Sequence, residues 1–456
     1  MDCLLAGTSG VQPATSPTPR STEAFGDPVE LFSVMERCQK RGGTISSVLP
    51  DGRAALVSVN ASTSKSQEYA EIRVVPLEGT YTKTLSIKGF GARYLASGHL
   101  VFGRSSGVWA APFDIERLEL TGKAAPILTG VAVESIFGSL HATFSDNGTV
   151  AFVPGSDLAR GRLAWMDRNG KGEILNVPER VYGVFDVSPD NRRFALEVAD
   201  VQDYVWIWDA ESGGRSLADK GCLMYPAWSP DGTSLAMAHL SQGGDTTTVL
   251  LHEVDRGIVR EIPLQESFVV PDSWPYPEGI GVTRWDAVTQ VGVLNPVRSE
   301  DQLHLLSRDI SSGPVGVWGA ALSPSREAAW IAYASNEGEG LYQVWIEQLN
   351  GDTRRQVSTN GGLEPVWCRN GDELFYKQDD RILASHTTFE PTLKIGPPKV
   401  AFEVSDSVET KGISYRVSSD GERLFFIRRS KRPTTDRINI VHNWFSELAR
   451  SAPANK

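Results

Sequence analysis

The sequence is poor in the residues that build disulfide frameworks and metal sites. Its 4 cysteines, Cys3, Cys38, Cys222 and Cys368, lie far apart and form no Cys-x-x-Cys pair. Its 7 histidines are scattered, and no two of them have the spacing of a metal-binding pair. The sequence therefore indicates neither a disulfide-stabilised domain nor a zinc site, and we expect no metal and no cofactor.

Long apolar runs are also missing. No stretch approaches the roughly 20 apolar residues that a membrane-spanning helix needs. The first residues, MDCLLAGTSG, have an acid where a signal peptide has basic residues, and their apolar stretch is short. From these features we expect a cytoplasmic protein with no direct membrane insertion. If the sequence is a fragment of a longer membrane-anchored or envelope protein, its location is extracytoplasmic.

Positive charge is in short supply. The sequence has 45 Lys and Arg against 56 Asp and Glu, which gives a formal net charge of -11. Proteins that hold a nucleic-acid backbone depend on clustered Lys and Arg. One basic cluster follows an apolar segment and is interpreted as a solvated loop: Arg428, Arg429, Lys431 and Arg432. We therefore expect no nucleic-acid partner.

Two patterns that resemble catalytic or ion-binding motifs have simpler explanations. The segment Gly103 to Gly107, GRSSG, matches the Gly-x-Ser-x-Gly pattern of serine hydrolases, but that motif needs a helix after it. The strand-like VWAAPF follows instead, so we interpret the segment as a hairpin turn. Four turn acids are interpreted as capping their own turns through backbone hydrogen bonds: Asp51, Asp190, Asp231 and Asp420.

One repeated unit dominates the sequence. The stretch YPAWSPDGTSLAMAH, residues 225 to 239, has an apolar segment, a tight turn and a second alternating apolar segment. Similar stretches recur at intervals of 41 to 50 residues, which is typical of propellers or helical arrays. The nine turns are at Gly52, Gly98, Gly148, Asn191, Gly232, Gly279, Arg326, Gly371 and Gly421.

The chemistry around each turn favours strands over helices. The flanking residues alternate in polarity and are rich in Val, Ile, Phe, Tyr and Trp, as half-buried strands are. Asp-Gly and Asn-Gly tolerate the positive φ angles of tight hairpins. A third strand, such as VWIWDA at 205 to 210, and a short fourth strand complete each unit. The sequence therefore predicts an all-β fold, a β-propeller of four-stranded antiparallel blades.

The number of blades and the chain boundaries follow from the repeat. Propellers usually have four to eight blades, so we predict eight blades from the nine turns. Residues 1–26, rich in Ser, Thr, Pro and Gly, are predicted to be a disordered leader. Residues 27–437 hold the propeller repeats, and residues 438–456 hold a last strand, a terminal helix and a tail.

The segment PVELFSV, residues 28 to 34, has two interpretations of equal weight. It is either a spare strand that closes the ring by pairing with the last repeat, or a helix capped by Asp27, started by Pro28 and ended by Gly42.

The repeated tryptophans are interpreted as packing between blades. One blade cannot bury both faces of its sheet, so large side chains must pack against the neighbouring blades. Trp228, Trp274 and Trp367 belong to this group and are predicted to be core residues, not ligand contacts.

The end of the chain predicts one short helix. In IVHNWFSELAR, residues 440 to 450, Val441, Trp444, Phe445 and Leu448 have the spacing of one helix face. We expect this helix to plug one end of the ring. In the alternative, Trp444, Phe445 and Leu448 dock on a partner protein.

The aligned units resemble TolB-like and WD-like propeller repeats. They are most similar to the repeat region that follows the catalytic domain in bacterial eukaryotic-type serine/threonine kinases. The stretches that carry this resemblance are ARYLASGHLVFGRSSGVWAAPFDIERLELTG (92–122), VWIWDAESGG (205–214), STNGGLEPVWCRNGDELFY (358–376) and INIVHNWFSEL (438–448). Relatives usually carry further repeats before the one at Gly52. No kinase motif is present, so the sequence does not predict phosphoryl transfer.

The resemblance and the repeats together predict a binding or scaffold module without catalytic activity. Its protein partner or small ligand is expected at the rim or at the mouth of the central channel, where loops from several blades meet. A component of a TolB-like envelope complex is one alternative. A propeller enzyme is another, and it would need His, Asp, Glu or Arg side chains from neighbouring blades that face the axis.

Overall fold

The computed structural model describes residues 43–60, 66–77, 82–199, 204–217, 223–241, 246–264, 268–285, 288–298, 302–306, 316–325, 330–337, 340–349, 351, 353–389, 393–410, 412–429 and 437–453. The predictions for the leader and for residues 28 to 34, and the turn at Arg326, lie outside these residues. The described part is all-β, as predicted, with a short 3-10 turn at Gln67–Tyr69 and one α-helix, α1, at Trp444–Ser451.

The recurring turns form hairpins, as their sequences predict. Asn191, Gly232 and Gly421 have φ angles of 59°, 70° and 73°, which are typical of the left-handed region. Each turn joins the first two strands of a sheet, so the same local chemistry starts each unit.

Strands β1 to β4 form the first sheet of the molecule and strands β5 to β9 form the second. The bounds are β1 (Gly43–Val48), β2 (Ala54–Val59), β3 (Glu71–Pro76), β4 (Lys83–Lys88), β5 (Phe90–Leu95), β6 (His99–Arg104), β7 (Gly107–Asp114), β8 (Glu119–Leu120) and β9 (Ala125–Thr129).

Short strands follow. The bounds are β10 (Val133–Glu134), β11 (Ser139–Leu140), β12 (Ala142–Phe144) and β13 (Val150–Phe152). Strand β39 (Asn439–Val441), from the end of the chain, pairs with β13 and is followed by α1. We call residues 43–153 and 438–452 together the N-terminal section.

Five further sheets lie in sequence order between these two parts of the N-terminal section. Their strands are β16 (Arg180–Val187), β17 (Arg193–Val198), β18 (Tyr204–Asp209) and β19 (Arg215–Leu217); β20 (Leu223–Trp228), β21 (Ser234–Leu240), β22 (Thr247–Glu253) and β23 (Ile258–Ile262); β24 (Val269–Tyr276), β25 (Gly279–Trp285), β26 (Thr289–Leu294) and β27 (Leu303–Leu305); β28 (Val317–Leu322), β29 (Trp330–Ser335), β30 (Gln343–Gln348) and β31 (Arg354–Gln356); and β32 (Leu363–Trp367), β33 (Glu373–Gln378), β34 (Arg381–Thr388), β35 (Lys394–Ile395) and β36 (Lys399–Glu403).

One more sheet, the closing sheet, combines two distant parts of the sequence. Its strands are β14 (Arg160–Asp167), β15 (Gly172–Ile174), β37 (Tyr415–Val417) and β38 (Arg423–Arg429). Strand β38 pairs with β14 along its whole length, from Gly161 opposite Arg429 to Asp167 opposite Arg423. This pairing unites β14, which precedes the series of five sheets, with the hairpin that follows it, and β14 also pairs with β16 of the first sheet at Arg160 and Gly161.

The six sheets from residue 160 to residue 429 form a closed ring. The first strand of each sheet contacts the first strand of the next, from β37 through β16, β20, β24 and β28 to β32. Strand β32 contacts β37 and so completes the ring: the Tyr415 hydroxyl donates to the Glu364 carbonyl at 2.8 Å. A ring of four-stranded antiparallel sheets is a β-propeller, and we call these six first strands the inner strands.

The prediction of eight blades differs from this strand pairing, which places six sheets in the ring. The other three of the nine repeats, at Gly52, Gly98 and Gly148, lie in the N-terminal section. The repeat has the same period inside and outside the ring, so the sequence does not mark where the ring begins. The ring begins at β14 because β14 is the partner of β38.

Apolar side chains fill the space between neighbouring sheets. Trp228 packs between the sheets that begin with β16 and β20, Trp274 between the next pair, and Trp367 between the sheets that begin with β28 and β32. All three are buried, with 0%, 9% and 7% of their surface exposed. The prediction that they pack between blades is confirmed, but Trp274 and Trp367 also line the pocket described below, which the sequence did not predict.

Candidate functional site

The pocket at the ring axis is built by the inner strands. It has a cavity volume of about 80 Å³, is open to solvent and is lined by residues of five of the six inner strands. Its lining comprises Asp186, Val187, Asp272, Ser273, Trp274, Pro275, Ala321, Leu322, Pro324, Pro365, Val366, Trp367, Arg369, Ile413, Arg416 and Val417. The charged members lie among aromatic and aliphatic walls, which is a common composition for a ligand site.

A buried ion pair crosses one side of the pocket. The Arg416 Nε donates to Asp186 Oδ1 at 2.8 Å, and the side chains are only 7% and 14% exposed. The other carboxylate oxygen, Oδ2, accepts from the backbone N–H of Trp228 at 2.7 Å. Asp186 therefore connects three neighbouring inner strands, β37, β16 and β20.

Asp272 provides the second carboxyl group of the pocket, after that of Asp186. Its Oδ2 accepts from Thr283 Oγ1 at 2.6 Å and from the backbone N–H of Ala320 at 3.0 Å. Burial raises the pKa of Asp272 to about 6, although these two hydrogen bonds and the charge of Arg416 act in the opposite direction. This carboxyl therefore titrates close to neutral pH.

Acidic side chains hold neighbouring sheets together elsewhere in the ring as well. An inner strand has no strand partner on its axial side, so its N–H groups there need other acceptors. Glu197 accepts from the Tyr225 N–H at 3.1 Å, and Glu364 accepts from the Ser414 N–H at 2.6 Å. Burial raises the pKa of Glu364, while nearby Lys377 lowers it.

Arg369 is the second arginine of the pocket, and it differs from Arg416 in its contacts. It is partly buried and lines the pocket, and no described residue forms a hydrogen bond or an ion pair with its guanidinium. Burial lowers the pKa of Arg369, and the charge of Asp186 opposes this shift. The pocket therefore presents one available cation.

The sequence contains one signal for Arg369. It occupies the second position of its turn, CRNG, where other repeats have the prolines Pro189, Pro230 and Pro324. Asp186 and Arg416 occupy equivalent positions of two repeats, two residues before Ser188 and Ser418. Sequence reasoning missed all three, and also Asp272, because it gave no means of telling which residues face the axis.

The predicted docking residues lie in the chain's own core. Trp444 and Leu448 are 3% and 0% exposed and pack in one cluster with residues of β5, β6, β7, β9, β12 and β13. Trp444 stacks on Phe144 with ring centroids 5.1 Å apart, and the Phe445 ring lies against Gly148. The helix thus lies on the N-terminal section, not across the end of the ring, where it was expected to act as a plug.

The simpler explanations of two other patterns hold. Strand β6 ends at Arg104 and β7 begins at Gly107, so GRSSG is a hairpin turn. The turn acids accept from the backbone two residues further on, as Asp190 does from the Arg192 N–H at 3.1 Å and Asp420 from the Glu422 N–H at 3.1 Å.

The described residues contain neither a metal-binding cluster nor a membrane-spanning helix. In this part of the chain, no group of three or more His, Cys, Asp or Glu side chains is arranged to hold a metal ion. Nor does any helix there have the length and apolar character needed to cross a membrane.

Comparison with known proteins gives structural neighbours only, since no family model and no curated protein matches the sequence. The fold is similar to a protein assigned as TolB from Agrobacterium tumefaciens, with a TM-score of 0.47 and 16% identity over 60% of this chain and 99% of that one. TolB from Acinetobacter baumannii is similar with a TM-score of 0.39 and 14% identity, over 73% and 79% of the two chains.

A structure from a study of two prolyl endopeptidases is also similar. Its TM-score is 0.36 at 14% identity, and the match covers 64% of this chain and 50% of that one. These scores lie below 0.5, so the assignment of a propeller rests on the strand pairing described above.

Proposed function

We propose that this protein is a non-catalytic binding module whose ligand or partner binds in the axial pocket of the ring. The observation that carries this proposal is the convergence of five inner strands on one open pocket that has apolar walls and an available arginine, Arg369. A ring of rigid sheets holds such a pocket in shape before the ligand arrives, which lowers the entropic cost of binding.

The ion pair and hydrogen bonds made by the acidic groups of the pocket favour a binding function over a catalytic one. A channel enzyme would need carboxylates from neighbouring blades, and Asp186 and Asp272 are present at the axis. However, Asp186 is bound to Arg416 and to the Trp228 N–H, and Asp272 accepts from Thr283 and Ala320. These contacts give both groups a structural role, because they link inner strands.

Two cellular roles fit such a module. The resemblance of the repeats to kinase-associated regions suggests a sensor, and the resemblance to TolB suggests a component of an envelope complex. The two roles differ in the partner, so identification of the captured molecule discriminates between them.

The test is capture from a native cell extract with the purified chain as bait, compared with the bait variant Val366→Trp. Val366 is partly exposed and lines the pocket, so an indole at this position would fill it. Circular dichroism establishes that the variant is folded. Proteins and small molecules are both identified by mass spectrometry.

We expect a ligand or partner that the wild type retains and Val366→Trp loses. Equal capture by both folded baits, or capture of nothing above background by the wild type, would contradict binding at the axis.

A further inference from the structure

One guanidinium of the axial pocket, that of Arg369, forms no direct ion pair with a described residue. Arg416 forms an ion pair with Asp186, and its Nη1 also donates to the Tyr415 carbonyl at 3.1 Å. The charges of Asp186 and Arg416 both act on the pKa of Arg369, in opposite directions. No hydrogen bond joins the Arg369 guanidinium to a described residue. A partly buried cation with unused donors favours an anion in the adjacent space.

The number of free cations limits the charge of that anion. One planar guanidinium matches the two oxygens and the single charge of a carboxylate in a two-pronged hydrogen bond. A phosphate dianion would bring a second negative charge close to Asp186 and Asp272, and the pocket offers no further free cation among its described lining residues.

The walls of the pocket determine what the carboxylate is attached to. Trp274, Trp367 and Leu322 contribute apolar surface. The Trp367 indole N–H is already used, since it donates to the Ala321 carbonyl at 3.1 Å. Trp367 and Leu322 therefore contribute mainly contact area, which suits the ring or hydrocarbon body of a ligand.

We propose that the axial pocket binds a small organic monocarboxylate, with its carboxylate on Arg369 and its apolar or aromatic body between Trp274 and Trp367. This inference rests on the proposed function, because it specifies the ligand of the same pocket. It goes further in assigning a chemical class and a recognition residue.

The test uses ¹⁹F NMR with 4-fluorobenzoate as the probe and 4-fluorobenzamide as its neutral counterpart. The broadening of the ¹⁹F signal of the probe is measured in the presence of the whole chain, as the wild type, Arg369→Gln or Val366→Trp. The control is Arg381→Gln, an exposed arginine of the same sheet whose Nε lies 3.8 Å from Glu403. Inorganic phosphate is added in a competition arm.

We expect wild type and Arg381→Gln to bind 4-fluorobenzoate equally. Arg369→Gln should weaken binding at least about tenfold, as loss of a charged hydrogen-bond partner does. The amide should bind at least about tenfold more weakly than the carboxylate, and phosphate should not displace the probe.

Three results would overturn the inference: equal binding by Arg369→Gln, equal binding of the amide, or displacement by phosphate at equimolar concentration. Absence of 4-fluorobenzoate binding at millimolar concentration would also overturn it. The proposed function fails separately, when Val366→Trp captures the same molecules from extract as the wild type.

Discussion

Asp186 and Arg416 lie 230 residues apart in the sequence and form an ion pair with an N···O distance of 2.8 Å. Asp186 is on β16, which follows the closing sheet, and Arg416 is on the inner strand of the closing sheet itself. The pair therefore joins the beginning and the end of the ring at its axis. It supplements the pairing of β38 with β14, which joins the same two regions through the backbone.

Replacing one member of this pair should destabilise the ring strongly. Arg416→Met leaves the carboxylate of Asp186 buried without its cation, and such changes cost roughly 3–5 kcal/mol. The free energy of unfolding is measured by urea titration. Arg192→Gln, which removes an exposed pair with Glu211, is the control and should change stability little. The double variant Asp186→Asn/Arg416→Met should recover part of the loss, and an additive result would contradict this explanation.

Asp272 should make stability depend on pH in a direction opposite to that of most carboxylates. Its pKa is about 6 in the folded protein and 3.8 in the reference state, so the folded form binds the proton more tightly. The charged form therefore costs stability above about pH 6, and the cost fades as pH falls from 6 towards 4. Asp272→Asn should be more stable than wild type at pH 7.5, by up to about 3 kcal/mol, with a smaller difference at pH 5.

The measurement for Asp272 is chemical unfolding of both proteins at pH 5, 6 and 7.5. Asp420→Asn is the matched control, because hydrogen bonds from Ser418 and the backbone lower the pKa of Asp420. That carboxylate stabilises the fold above its unfolded pKa, and the contribution is lost as pH falls. A stability difference for Asp272→Asn that does not change with pH would be inconsistent with the raised pKa.

The terminal helix should stabilise the N-terminal section and not the ring. Leu448 is fully buried among residues of that section, so Leu448→Ala should cost about 2–5 kcal/mol there. Hydrogen exchange measured by mass spectrometry should show faster exchange over residues 95–152 and unchanged exchange in the ring strands. Glu447→Ala, on the exposed side of the helix, should leave both regions as in the wild type. Equally accelerated exchange in the ring would show that the two parts unfold together.

Gly107 and Gly98 should respond very differently to alanine. Gly107 has a φ of 122°, and a Cβ there would lie 2.3 Å from the Leu128 carbonyl oxygen. Gly98 has a φ of 78°, but its Cβ would meet nothing within 4 Å. We expect Gly98→Ala to cost about 1 kcal/mol and Gly107→Ala to cost several-fold more, since backbone atoms cannot give way. Thermal unfolding compares the two, and equal shifts would contradict the steric argument.

The local part of the fold could be predicted from the sequence because its signals are local. Asp-Gly and Asn-Gly turns between alternating apolar segments indicate hairpins, and their period indicates repeated sheets. The number of sheets in the ring is not local, since it depends on β14 pairing with a strand that follows more than 250 residues later. The turns at Gly52 and Gly232 have similar sequences, although only Gly232 lies in the ring.

The site could be predicted only in its location. That ligands bind at the axis of a propeller follows from the architecture, but the residues facing the axis depend on irregularities of the inner strands. The pairing register of the inner strand changes between Met224 and Ala227 in one sheet and between Leu363 and Val366 in another. At these places Tyr225 and Glu364 adopt positive φ angles. Such bulges change which side chains point inward. An aspartate in one repeat and an arginine in another become partners only after the ring has closed.

The chain leaves the N-terminal section and returns to it at facing positions, because Phe152 on β13 is paired with Asn439 on β39. Gly161 and Arg429, near the two ends of the ring, are likewise paired with each other. The ring is thus an insertion whose entry and exit lie side by side, so a short hairpin could bridge the gap left by its removal. A gene could gain, lose or exchange the whole ring in one step without rerouting the rest of the chain.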